Sequence, residues 1–173
     1  MRKQSSFISQ DYANWKTRRI LGIGIATEHG MEYFYSVHMG WWKDEDEPFE
    51  GQWERIRREL GGGACLETYP GPVPGPVWLM GDFNSPAHVR GEGRDLIRGF
   101  GWLDSYELAR SKDSGITVGH AIDGWREQED VSGMRIDYIW TSRKVPVRSS
   151  RVIFNGSCEP IVSDHYGIIV EYE

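Results

Sequence analysis

The run PVWLMGDFN (76–84) constrains the fold of this chain more than any other stretch. Val77, Trp78, Leu79 and Met80 read as a buried strand, and Gly81 lets the chain leave the sheet closely. The next residues are not core residues. Asp82 and Asn84 are two apart, so in extended chain they point to one side, with Phe83 on the other. Pro86 blocks continuation of the strand. A buried strand that ends on a carboxylate and a carboxamide needs a sheet whose ends converge on something polar.

Three more apolar runs share this design. EYFYSVHMG (32–40) alternates Tyr33, Tyr35 and Val37 with Phe34, Ser36 and His38, which places His38 near the strand's end on its less apolar face. MRIDYIWTS (134–142) carries Asp137 between Ile136 and Tyr138. SDHYGIIVEYE (163–173) sets Asp164 and His165 ahead of an apolar closing strand. RILGIGIAT (19–27) and RSSRVIFNG (148–156) read as further strands, and GITVGH (115–120) as an edge strand.

Phe49, Trp53, Ile56 and Leu60 are spaced 4, 3 and 4, which makes one helical stripe that Gly61-Gly62-Gly63 stops. A shorter helix and a turn are expected within 94–109. The stretch 68–76 is a stiff, solvated connection, and 122–133 a polar surface loop. Many strands with few helices give an α/β sandwich rather than a doubly wound parallel sheet.

Composition narrows the function classes. The chain has 173 residues, enough for one domain, and is 39% hydrophobic and 27% charged, as a globular chain is. No apolar run approaches the roughly 18–20 residues that span a bilayer, and the start lacks the apolar stretch of a secretory signal. Cys65 and Cys158 have no metal-ligand spacing and read as ordinary reduced thiols, so a cytoplasmic setting is expected. A net charge of −6 argues against generic binding to a phosphate backbone. It leaves room for a local basic groove or for a metal ion that brings its own charge.

Each polar strand end has a plain structural reading. Asp82 and Asn84 alone would be a turn cap, His38 alone a hydrogen-bonded sheet-end histidine, Asp137 a partner of Arg135, and Asp164-His165 a loop pair. Four such ends together are the layout of a hydrolytic site, suited to attack of water on phosphorus. Carboxylates hold a hard divalent cation or deprotonate the water, a carboxamide and imidazoles stabilise phosphoryl charge, and a second carboxylate fixes one histidine's tautomer.

These motifs resemble the endonuclease/exonuclease/phosphatase superfamily, which has the DNase I-like fold. The resemblance rests on Gly81-Asp82-Phe83-Asn84, Arg135-Ile136-Asp137-Tyr138, Ser163-Asp164-His165 and His38, in order and spacing. It implies an α/β, two-sheet β-sandwich flanked by helices. It implies that Asp82 orients or deprotonates the water and that Asn84 contacts the water and a phosphoryl oxygen. His165 then faces the phosphate with Asp137 behind it, Asp164 helps bind the metal, and His38 contacts the phosphate or assists the leaving oxygen. The implied cofactor is Mg²⁺, with Mn²⁺ as an alternative.

One departure stands out. Members carry an early strand with an asparagine and then a glutamate, in a Gln-Glu pair, that is the principal metal ligand. No such pair precedes His38, and Gln4, Gln10 and Asp11 sit in no matching context. Residues 1–173 are therefore expected to form a single partial domain that resembles the C-terminal two-thirds of the family's, with N-terminal strands missing. The expected consequences are an open sheet edge with apolar surface, self-association or pairing with another polypeptide there, and weak or absent activity of this chain alone.

The texture of GDFNSPA, HAIDGWRE, RIDYIW and PIVSDHYGI resembles a bacterial branch of sugar-phosphate phosphatases that includes maltose 6'-phosphate phosphatase. A small sugar phosphate is the expected substrate. Trp41, Trp42 and Trp125 are candidates to stack on a sugar face, with ordinary packing as the alternative. The rival functions are a nuclease or other phosphodiesterase, which needs basic residues such as Arg55, Arg57, Arg58, Arg143, Lys144, Arg148 and Arg151 beside the groove, and a non-catalytic remnant. Nucleic acid and membrane are the less favoured partners.

Overall fold

A computed structural model describes residues 2–7, 18–28, 30–45, 47–61, 75–119 and 133–173. Their strands are β1 (Arg2–Phe7), β2 (Arg19–Thr27), β3 (Gly30–His38), β4 (Val77–Asp82), β5 (Leu103–Asp104), β6 (Ser111–Lys112), β7 (Asp137–Thr141), β8 (Val147–Ile153) and β9 (Gly167–Tyr172). The helices are α1 (Phe49–Gly61), α2 (Gly93–Gly99) and α3 (Ser105–Leu108). A six-stranded sheet runs β1-β2-β3-β4-β7-β5, and a three-stranded sheet runs β6-β8-β9.

The expected strands at 19–27, 32–40, 76–84 and 148–156 all form, as does the helix over 49–60. Two elements differ. β1 was not foreseen, because RKQSSF carries no apolar alternation; it is a polar edge strand held by the β2 ladder. The expected strand over 115–120 reduces, among the described residues, to one bridge between Val118 and Met134.

The β3 alternation sorts side chains as the sequence implies. Tyr33, Tyr35 and Val37 are buried on one face, joined by Leu79 of β4 and by Tyr138 and Trp140 of β7. The α1 stripe Phe49, Trp53, Ile56 and Leu60 and Ile97 of α2 cover that face. Burial of each such side chain stabilises the fold by about 1.5–3 kcal/mol. Gly22 lies directly under the Tyr35 ring, and a Cβ there would strike it, which accounts for a glycine inside an otherwise apolar strand.

The opposite, inner face of the large sheet is ordered in rows by the strand register. Ile23, Phe34, Trp78 and Thr141 are neighbours in one row. His38, Asp82 and Asp137 form another, at the sheet's end. The small sheet packs over this face. The Tyr172 ring of β9 lies 4.6 Å from that of Trp78. Buried Glu32 fixes the contact, accepting from Trp78 Nε1 at 2.9 Å and from the Tyr172 hydroxyl at 2.8 Å. Among the described residues no helix is long and apolar enough to cross a membrane.

Candidate active site

Asp82 is the last residue of β4 and Asp137 the first of β7, directly opposite each other in the antiparallel register. β3 runs parallel to β4 and brings His38 level with Asp82. His38 Nε2 lies 3.3 Å from Asp82 Oδ2. From the other sheet, the segment before β9 delivers His165, whose Nδ1 stands 2.9 Å from Asp137 Oδ2 and 3.2 Å from Oδ1. Two histidines and two aspartates from four strand ends thus meet at one point. Of the six polar residues that the sequence grouped by type, these four converge.

Asn84 reaches this place by a different route from the extended-chain expectation. β4 ends at Asp82, and Asn84 has φ 45, a left-handed conformation that asparagine tolerates. Its backbone N–H donates to Asp82 Oδ1 at 2.7 Å, closing an Asx turn. Its side-chain Nδ2 donates to the Met39 carbonyl at 2.8 Å. Met39 N–H in turn donates to the Asp82 carbonyl at 2.9 Å. Asn84 therefore locks the β3 and β4 ends side by side, as a turn cap does. Gly81 has φ +130, and a Cβ there would collide with the Val37 carbonyl oxygen.

Asp164 is exposed, and its carboxylate accepts from Ser163 Oγ at 3.0 Å. It stands next to His165 in sequence but outside the tight group. Trp125 lies outside the described residues. Trp41 packs against Val118, Met134 and Ile136, and Trp42 against the helix-covered core, so both serve packing.

Three features escaped the sequence reading. Thr117 is fully buried, and its hydroxyl accepts the N–H groups of Ile136 at 3.2 Å and Asp137 at 3.3 Å. Its carbonyl accepts the Tyr166 N–H at 2.7 Å, so one residue holds both Asp137 and the His165 segment. Behind the site the Tyr138 hydroxyl donates to the Ser85 carbonyl at 2.6 Å, and the Arg135 guanidinium lies against the Tyr106 and Tyr138 rings. Arg135 pairs with Asp104 at 2.7 Å, not with Asp137 as one reading of the sequence had it. Arg18, just ahead of β2, is close enough to act electrostatically on both His38 and Asp82. A lone arginine or threonine gives no spacing signal that would reveal any of this.

The electrostatics follow from the convergence. Burial, and then the Asp137 charge, push the Asp82 carboxyl up to about 6. The hydrogen bond to Asp137 raises the His165 imidazole to about 8, while burial and the neighbouring positive groups lower that of His38. At neutral pH in the metal-free protein His165 is an imidazolium and His38 a neutral ring.

Asp82, Asp137 and His165 each offer one ligand atom, and these lie within 4.8 Å of one another. Two carboxylates at that spacing suit a hard divalent cation, which commonly takes one or two protein carboxylates and keeps several waters. The chain's own residues therefore fit a divalent metal.

No family model and no curated protein matches the sequence. Solved structures do. An endonuclease/exonuclease/phosphatase family protein from Leptotrichia buccalis C-1013-b superposes with a TM-score of 0.78 at 33% identity, over 99% of this chain and 61% of that one. A family protein from Bacteroides thetaiotaomicron gives 0.63 at 20% identity, over 99% and 64%. A mannosyl-6-phosphatase from Bacteroides thetaiotaomicron VPI-5482 gives 0.65 at 20% identity, over 99% and 66%. The chain thus spans between three fifths and two thirds of these relatives' length. It has the DNase I-like fold of the endonuclease/exonuclease/phosphatase family.

Proposed function

We propose that this chain carries the acid–base half of a metal-dependent phosphoester hydrolase site, with a small phosphomonoester, a sugar phosphate, as its substrate. The observation that carries this reading is the meeting of His38, Asp82, Asp137 and His165 at the ends of four strands. Asp82 orients the attacking water and takes its proton as the oxygen bonds to phosphorus. The His165 imidazolium, held by Asp137 through Nδ1, turns its other N–H to a phosphoryl oxygen or to the departing alkoxide as the P–O bond breaks. Asn84, with one amide hydrogen used on Met39, has a second for the phosphate. His38 flanks Asp82 and contacts the phosphate.

A divalent cation held by the Asp82 and Asp137 carboxylates, with Mg²⁺ the first choice and Mn²⁺ the second, neutralises phosphate charge when bound. Asp164, the ligand that the family resemblance implies, would join that set only by moving toward it, since it stands outside the Asp82–Asp137–His165 group. Activity of the 173-residue chain alone is weak, because no counterpart of the family's glutamate ligand precedes His38.

Several observations support a small substrate over DNA. Arg55 is paired with Glu47 at 2.6 Å and Arg57 with Glu54 at 2.6 Å, both on α1, which covers the sheet face opposite the site. Arg148 is paired with Glu171 at 3.1 Å. The net charge of −6 points the same way, as does the fold shared with a mannosyl-6-phosphatase. The test is phosphate release from maltose 6'-phosphate, mannose 6-phosphate and other sugar phosphates, run beside plasmid nicking, with Mg²⁺ and with chelator. It is run on this chain and on a fusion that adds the part of the Leptotrichia buccalis protein outside the aligned region. Chelator-sensitive phosphate release, stronger in the fusion, is expected. Nicking without phosphate release overturns the substrate class, and neither activity in either protein supports a non-catalytic remnant.

A further inference from the structure

Beyond Asp82 the chain goes on pairing with the segment that leads into β7. Phe83 N–H donates to the Ile136 carbonyl at 3.0 Å, and Ala87 N–H donates to the Arg135 carbonyl at 3.0 Å. One step along residues 135–136 thus faces four along 83–87, so residues 84–86 loop out between two neighbouring rungs. Asn84 sits on that loop, and Asp137 directly follows the segment that carries both rungs. The placement of the carboxamide relative to the carboxylate therefore depends on where residue 135 is held.

Arg135 is held from behind the site. Its Nη1 pairs with Asp104 Oδ2 at 2.7 Å, and its guanidinium carbon lies 4.5 Å from the centre of the Tyr106 ring and 4.7 Å from that of Tyr138. Asp104 is itself fixed. It is buried, its Oδ1 accepts the Tyr106 N–H at 3.1 Å as the cap of α3, and its strand β5 pairs with β7. The Tyr138 hydroxyl closes the arrangement: it donates to the Ser85 carbonyl, in the middle of the loop, at 2.6 Å and lies 3.2 Å from the Arg135 carbonyl. A planar guanidinium fits against two rings and a carboxylate at once, which an ammonium does not.

Stability alone does not account for this pair. Burial pushes the Asp104 carboxyl up despite the Arg135 cation beside it. A buried ion pair is often no more stabilising than apolar residues of the same volume. What it adds is direction. Direction matters here because a cavity between the sheets, lined by Asp104, Arg135, Asp137, Val152 and Ile168 among others, leaves space beside Asp137 that no side chain fills.

We propose that Arg135 is a positioning residue of the site: anchored on Asp104, it sets the Asn84 loop and the Asp137 carboxylate in register with each other. Its part in turnover rests on the phosphoester reading of the site, whereas its effect on the geometry does not.

The test compares the 173-residue chain with Arg135→Lys and Asp104→Asn, the second of which keeps an oxygen to cap α3. Leu60→Ala, in the helix-covered core, is the control for lost stability. Folding is checked by circular dichroism. NMR then follows the Nδ1 proton of His165, bonded to Asp137, and the carboxamide protons of Asn84, one of them bonded to Met39. Inorganic phosphate is titrated in Mg²⁺ through the His38 and His165 rings. In Arg135→Lys and Asp104→Asn both sets of protons should shift or broaden, and phosphate affinity should fall about tenfold, as a misplaced group in a site would cause. Leu60→Ala should leave all three unchanged. A folded Arg135→Lys or Asp104→Asn variant that keeps both sets of protons in place overturns the proposal. So does an equal disturbance in Leu60→Ala, which marks general loosening. A parent chain that binds no phosphate, with the protons moved in Arg135→Lys, overturns the phosphoester reading and leaves the positioning role standing.

Discussion

Asp82 and Asp137 face each other across the β4–β7 ladder, a pair of carboxylates in the position where like charges weaken a sheet. The strain falls on Asp82, whose carboxyl is raised to about 6 by burial and by Asp137. A raised acid pKa gives stability that is full below the unfolded value of 3.8 and is lost as pH rises through about 6. A rise of that size corresponds to about 3 kcal/mol. Replacement Asp82→Asn keeps an oxygen for the Asn84 N–H and removes the charge. It should stabilise the metal-free protein at pH 8 by about 1–3 kcal/mol and flatten its stability between pH 4 and 6. Urea unfolding across that range checks this; a variant less stable than the parent at pH 8 contradicts it.

His165 should titrate near pH 8 in metal-free protein, followed by the ring protons in NMR, because Asp137 stabilises the imidazolium. Its contribution to stability is complete below pH 6.5 and fades as pH rises through 8. Asp137→Asn should bring the midpoint down to 6.5 or lower. An unchanged midpoint would mean that the hydrogen bond to Asp137 does not govern His165.

Thr117→Val leaves the N–H groups of Ile136 and Asp137 without their acceptor. A buried unpaired donor costs about 1–3 kcal/mol. The variant should lose that much stability and also lower the His165 midpoint, since Asp137 shifts. Thr117→Ser, which keeps the hydroxyl, should restore the midpoint. Loss of stability with His165 untouched would limit Thr117 to packing.

Gly81→Ala forces a Cβ into the Val37 carbonyl at φ +130. Strain of this kind costs on the order of 1–3 kcal/mol before the collision is counted. Thermal unfolding should show one of the largest losses of any alanine substitution in β4, and full retention of stability would show that the β3–β4 approach is looser than the structure has it.

Elements with strong periodicity were legible from sequence. The α1 stripe and the alternation of β3 emerge because each buries one face, and the four polar strand ends emerge because carboxylates and histidines are out of place there. What the sequence could not reveal depends on partners far away in the chain. β1 is polar and exists through the β2 ladder. Thr117 matters only because residues 134–137 and 166 fold back on it. Asn84 reaches the site through a left-handed turn, which parity along an extended strand cannot describe. The family resemblance implied an open sheet edge, and among the described residues β9 pairs with β8 alone.

The central claim is that His38 and His165, from different sheets, face one phosphate. Titration of the 173-residue chain with inorganic phosphate in Mg²⁺, followed through the ring signals of both histidines, tests it most directly. Both rings should shift together along one binding curve, and chelator should abolish the effect. Movement of only one ring, of neither, or of both with separate affinities would contradict a single phosphate site.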